Sequence, residues 1–244
     1  MAESSLRTVA LLAGATTLYL AYHLAISKPS VSRLFAARLA TLERPAATRP
    51  ALSSSDALST ITSWFRKALG VVLLGLLPAV PMALSTPAGL HALGLNLDHL
   101  DQSLLWTGVA LAVFLPVIAL SSRGPAHRQA YPEVRLPFTP RIAAWNAGAW
   151  AAFLLAYELF FRGFMLLGLT PLLGPEVALA VTTMAYVFVH LDKFAGEVLG
   201  TIFTGIGFGL VTLETGSILM PFLAHLAVAV TNDTLASRPR PRPA

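Results

Sequence analysis

The chain has 244 residues, 55% of them hydrophobic and only 12% charged, with a mean hydropathy of +0.68, whereas soluble domains carry roughly 25% charged residues. An ordinary soluble globule and a disordered chain are both excluded, which leaves a membrane protein. With no cysteine there are no disulfides, thiolate nucleophiles, Cys-ligated zinc sites or iron–sulfur clusters, so any chemistry falls to six His and twelve Asp and Glu.

About 20 apolar residues are needed to cross about 30 Å of hydrocarbon as a helix. Seven stretches approach that length, near 8–26, 68–85, 103–120, 142–169, 176–191, 195–213 and 217–235. The expected fold is therefore all-α, a polytopic bundle of about seven transmembrane helices. The first stretch follows a single base, Arg7, and contains Tyr19, Tyr22 and His23, so it reads as an uncleaved anchor rather than a signal peptide. His23 is assigned to packing or to the interface. Between the first two stretches, Val31, Leu34, Phe35, Leu39 and Leu42 recur near helical spacing with Arg33 and Arg38 among them. That pattern predicts a helix lying on the membrane interface in the first cytoplasmic loop, followed by a Pro-, Ala- and Ser-rich linker.

Lys and Arg concentrate in cytoplasmic loops. Fifteen of the seventeen fall in the first, third and fifth loops and the tail, while the opposite loops hold Asp98, Asp101, Glu176 and Glu214. The prediction is an N-terminus outside and a cytoplasmic C-terminus. Topology and attraction to anionic lipid head groups then account for the net charge of +5, with no nucleic-acid partner needed. Residues 1–141 form N-terminal helices and loops, 142–235 the core that carries the chemistry, and 236–244 a basic tail.

A charge near the bilayer centre costs several kcal/mol, so ionisable groups inside spans face a polar cavity or one another. Glu158 and Arg162 stand at i and i+4 in the fourth span, the better orientation for an ion pair. His190 closes the fifth span, Glu197 begins the sixth and His225 lies in the seventh. Taken singly, each has a bland explanation: a packing strut, a helix-end cap, an interhelical hydrogen bond, or a Lys193–Glu197 surface pair. Together they fall within residues 158–225, and nothing in the first 157 residues reproduces such a combination. Two carboxylates, an arginine and two imidazoles can activate water and stabilise an oxyanion, as amide hydrolysis requires. There is no HExxH for a zinc protease, no serine in a GxSG turn and no GxGD aspartyl pair.

These residues resemble the CAAX protease and bacteriocin-processing family, glutamic membrane endopeptidases of CAAX prenyl protease 2 type. Its E-E-x-x-x-R element is matched by Tyr157-Glu158 through Arg162, followed by Gly163. Its aromatic-x-x-x-His element is matched by Tyr186 and His190, and its His-x-x-x-Asn or Asp element by His225 with Ala229 at the fourth place. The resemblance covers about residues 142–235. It implies an intramembrane endopeptidase acting on a membrane-associated protein or peptide, with Glu158, Arg162, His190, Glu197 and His225 as catalytic residues and no cofactor. Zinc on the two His and nearby carboxylates is the metal alternative, and a metal-independent mechanism is preferred. Tyr157 replaces the family's first Glu, its usual base, and Ala229 replaces a polar oxyanion group. Either Glu158 or Glu197 is then the base, with Glu197 preferred because Arg162 makes Glu158 a poorer one. Asn232 is a weaker substitute for the lost amide. The competing reading is an inactive binding or bacteriocin-immunity protein. A small transporter ranks behind both, for want of an inverted hydropathy repeat.

Overall fold

In a computed structural model of the protein, residues 2–23, 54–85, 88–191, 193 and 195–237 are described, and among them there is no strand. Helix α1 is Ala2–Ala21. Helix α2 runs without a break through Ser54–Gly70, a wider π segment Val71–Leu76, and Leu77–Ser85. A short 3-10 turn, Gly89–Leu93, leads to α3, Leu100–Ser121, and to a small helix α4, Pro125–Ala130. Helix α5 combines Pro140–Glu158, a second π segment Leu159–Leu167, and Gly168–Leu173. Helices α6, α7 and α8 are Pro175–Phe188, Ala195–Thr215 and Leu219–Ala236.

The all-helical membrane architecture is thus present, and each predicted span overlaps a helix. Among the described residues, five helices are long and apolar enough to cross a membrane: Leu58–Leu84, Leu100–Ser121, Pro140–Leu173, Ala195–Thr215 and Leu219–Ala236. The expected count of about seven is not confirmed by length and composition alone. Helix α6 falls short because it has 14 residues, and α1 is not among the five. The predicted linker also turns out helical from Ser54 onward, where Asp56 lies in the first turn at the positive end of the helix dipole. The predicted interfacial helix lies outside the described residues.

Burial follows the logic of a bilayer, in which apolar side chains point outward as readily as inward. Helix α3 is only 22% buried over its apolar window, whereas α5 is 72% buried and forms the central post. Lipid is as apolar as Leu, so helices here associate by close packing and by polar contacts rather than by hydrophobic transfer. Around α5 the packing is aromatic: Tyr19 of α1 stacks on Phe160 at 5.2 Å, and its edge meets Phe161 at the same distance. Gly163 lets the 3-10 turn come against α5, since a Cβ there would run into the Leu93 carbonyl oxygen.

The next residue of that turn, Gly94, has φ +78°, a left-handed conformation that glycine adopts without steric cost. Its carbonyl accepts the Ile218 N–H at 3.0 Å, and the Asn96 amide donates to the Gly216 carbonyl at 2.9 Å. The 89–97 loop thereby seats the start of α8, and with it the depth of His225. Helix α8 packs against α3 and α5, and α7 against α6, so α5, α6, α7 and α8 bring the predicted site residues to one region.

Candidate active site

Glu158 ends the regular part of α5, where the chain widens into the π segment that carries Arg162. Such widenings are concentrated at functional sites. Both side chains are buried, at 0% and 1% exposure, and Glu158 Oε2 lies 3.0 Å from Arg162 Nη1. The approach is off the hydrogen-bonding direction, so neither atom completes a hydrogen bond among the described residues. The pair is therefore coulombic, and the guanidinium carbon also lies 4.3 Å from the centre of the Tyr186 ring. On its other side, Glu158 Oε1 accepts from His225 Nδ1 at 2.7 Å.

A carboxylate accepts and does not donate, so His225 carries a proton on Nδ1. His190, just beyond the end of α6, is 2.7 Å through Nδ1 from the Tyr186 carbonyl oxygen, which likewise only accepts. Both imidazoles, when neutral, therefore keep their lone pair on Nε2. Tyr157 stands edge-on to both, with ring centres 5.8 Å from His225 and 6.4 Å from His190. All three residues line a cavity of about 410 Å³, and Glu197 of α7 lines it too. Glu158 and Arg162 do not: they stand behind the wall, with Glu158 bonded to the back of His225. Glu197 is within 3.4 Å of the Tyr131 hydroxyl, so its recorded partner is that phenol rather than Lys193.

The cavity also has walls that the sequence reading left out. His23, assigned there to packing, lines it, as do Arg66, His127, Tyr131 and Glu133. Glu133 binds Lys67 Nζ at 2.6 Å and the Ser63 hydroxyl at 2.9 Å. Burial alone would raise its carboxyl, but Lys67 and Lys193, with those two hydrogen bonds, pull it from the ordinary 4.5 to about 2. Burial, reinforced by Glu197 and Glu133, pushes the Tyr131 phenol well above 10 and keeps it a donor. Asp233 is wholly buried and accepts from Asn146 and Trp150, each at 2.7 Å, which ties α8 to α5. His127 Nε2 meets the Asn232 side-chain oxygen at 2.9 Å. Asn232 thus sits seven residues and about 10 Å along α8 from His225, among the loop residues rather than beside the two imidazoles. A sequence signal for this end did exist: Ser63 and Lys67 at i and i+4, and a His and a Glu in a short loop rich in Pro.

For zinc, no group of three His, Cys, Asp or Glu residues gathers among the described residues. Both Nδ1 atoms and both Glu158 oxygens already face other partners. Chemically, the arrangement offers the Nε2 atoms of His190 and His225 and the Glu197 carboxylate on one cavity, which Glu133 also lines, with the Glu158–Arg162 pair behind His225.

Compared with known families, residues 140–231 match the one described as type II CAAX prenyl endopeptidase Rce1-like. Compared with the curated proteins and with the solved structures, the chain shows no match. The matched region contains Glu158, Arg162, His190, Glu197 and His225, but not His127, Tyr131 or Glu133.

Proposed function

We propose, from the match of residues 140–231 to the family described as type II CAAX prenyl endopeptidase Rce1-like, that this multi-pass membrane protein hydrolyses a peptide bond of a membrane-associated protein or peptide. The observation that carries the proposal is the shared cavity, on which two imidazoles, each engaged through Nδ1, and the Glu197 carboxylate meet. Glu197 and His190 hold and deprotonate the attacking water. His225, when it carries a second proton on Nε2 with Glu158 behind it as counter-ion, donates to the oxyanion, and the base returns the proton it took from water to the leaving amine. Glu158 is a positioning residue here: its burial behind His225 keeps it from the water, and Arg162 Nη1 lies 3.0 Å from its other oxygen. This division of labour favours Glu197 over Glu158 as the base.

The N-terminus lies outside and the C-terminus in the cytoplasm, a reading supported by the one-sided distribution of Lys and Arg. Protease accessibility of a tag at each end in sealed vesicles checks it. The proposal as a whole is tested by comparing membrane-protein termini in cells carrying the wild type with those carrying a Glu158→Gln, His190→Ala double variant. New termini made by the wild type alone are expected. Their absence, at equal membrane accumulation of both proteins, would favour a binding protein that keeps the pocket without hydrolysis. Tyr157 at the place of the family's first Glu is the observation on that side.

A further inference from the structure

Tyr157 is the chief departure from the family pattern, and its surroundings suggest a gain of chemistry. The residue is 6% exposed, yet it lines the cavity. Five rings pack around its ring: Phe153 at 5.7 Å, Phe161 at 4.7 Å, Tyr186 at 6.0 Å, and the His190 and His225 rings edge-on. A phenol buried to this degree ordinarily spends its O–H on a partner. Among the described residues the Tyr157 hydroxyl has none, although the structure records partners for Tyr22 and Tyr131. The hydroxyl also does not count among the buried polar atoms cut off from any partner, so it opens into the cavity. There it lies on the wall that carries both catalytic imidazoles.

We propose that Tyr157 is a further catalytic residue, whose hydroxyl donates a hydrogen bond to the oxyanion formed at the scissile carbonyl. The inference rests on the hydrolase reading above. In the step itself, the water oxygen bonds to the carbonyl carbon, the C=O π pair moves to oxygen, and the water proton passes to the base. The phenol keeps its proton and contributes only the hydrogen bond, beside His225. Ala229 has no side-chain donor, and Asn232, whose oxygen meets His127, sits about 10 Å from His225 along α8. A hydroxyl fixed by packing among five rings is oriented before the charge appears, which is the condition under which such a donor accelerates reaction.

The test is Tyr157→Phe, which removes one oxygen and keeps the ring packing, so a purely structural role would survive it. The probes are a farnesylated peptide ending in a CAAX sequence and its phosphinate analogue, which carries a tetrahedral anion at the scissile position. Relative to the wild type, Tyr157→Phe should lower kcat by about 10²-fold, leave KM and the melting temperature unchanged, and lose the preference for phosphinate over parent peptide. If the wild type binds the phosphinate preferentially but cuts nothing, and Tyr157→Phe abolishes that preference, the donor assignment stands and the hydrolase reading falls. If Tyr157→Phe cleaves or binds as the wild type does, or the wild type shows no preference for the phosphinate, the assignment is overturned.

Discussion

Replacing Glu158 and Glu197 by Gln, one at a time, separates what the two carboxylates do. Glu158 is wholly buried and 3.0 Å from an Arg162 that is itself 1% exposed. At an effective dielectric near 20, that separation corresponds to about 5 kcal/mol of mutual attraction. Removing one member of a buried pair leaves the other charge uncompensated, at a cost of about 3–5 kcal/mol. Glu158→Gln should therefore lower the melting temperature in detergent as well as cleavage. The second change Arg162→Met should recover much of the lost stability without restoring activity, because His225 would still lack its anionic partner. Glu197 faces the cavity, and its recorded hydrogen bond is a long one of 3.4 Å from Tyr131. Glu197→Gln should thus shift stability by less than about 1 kcal/mol while cleavage collapses. Melting curves and initial rates on the same preparations decide the matter. Normal cleavage by Glu197→Gln, together with an inactive but fully stable Glu158→Gln, would refute the assignment and make Glu158 the base.

Three further outcomes follow from the geometry. Because the Glu133 carboxyl is held at about 2 against an ordinary 4.5, it contributes stability that is complete above the unfolded value and lost as pH falls through the folded one. The melting-temperature gap between wild type and Glu133→Gln should stay constant above about pH 4.5 and close between about pH 4.5 and 2; a gap independent of pH would count against the Lys67–Glu133 pair. Gly163→Ala places a methyl group against the Leu93 carbonyl, so either α5 or the 89–97 loop must shift. A loss of about 1–3 kcal/mol is expected by thermal melting, and an unchanged melting temperature would show the contact to be slack. Chelation by EDTA or 1,10-phenanthroline should leave cleavage rates unchanged, and restoration of a chelator-inhibited rate by added zinc would reverse that expectation.

The loop between α4 and α5 explains why the site was only half legible beforehand. Glu158, Arg162, His190, Glu197 and His225 stood out in the sequence because charge inside an apolar helix is costly, and cost makes each of them conspicuous. His127 lies in the six-residue helix α4, and Tyr131 and Glu133 lie in the loop that follows it, where polar residues are unremarkable. Their contacts with Asn232, Glu197 and Lys67 span 105, 66 and 66 residues. No local pattern carries such pairings.

Composition and hydropathy by themselves determined that this is a helical membrane protein, where its helices fall and which charged residues needed explaining, because apolarity and periodicity are properties of neighbouring residues. Which carboxylate faces the cavity was decided by tertiary structure alone. Glu158 and His225 meet at 2.7 Å across 67 residues of chain: the 89–97 loop sets the start of α8, and aromatic packing of α5 holds Glu158 behind His225. Glu197 is left on the cavity wall, and so is the Tyr157 hydroxyl, whose place in the family pattern made it look like a loss.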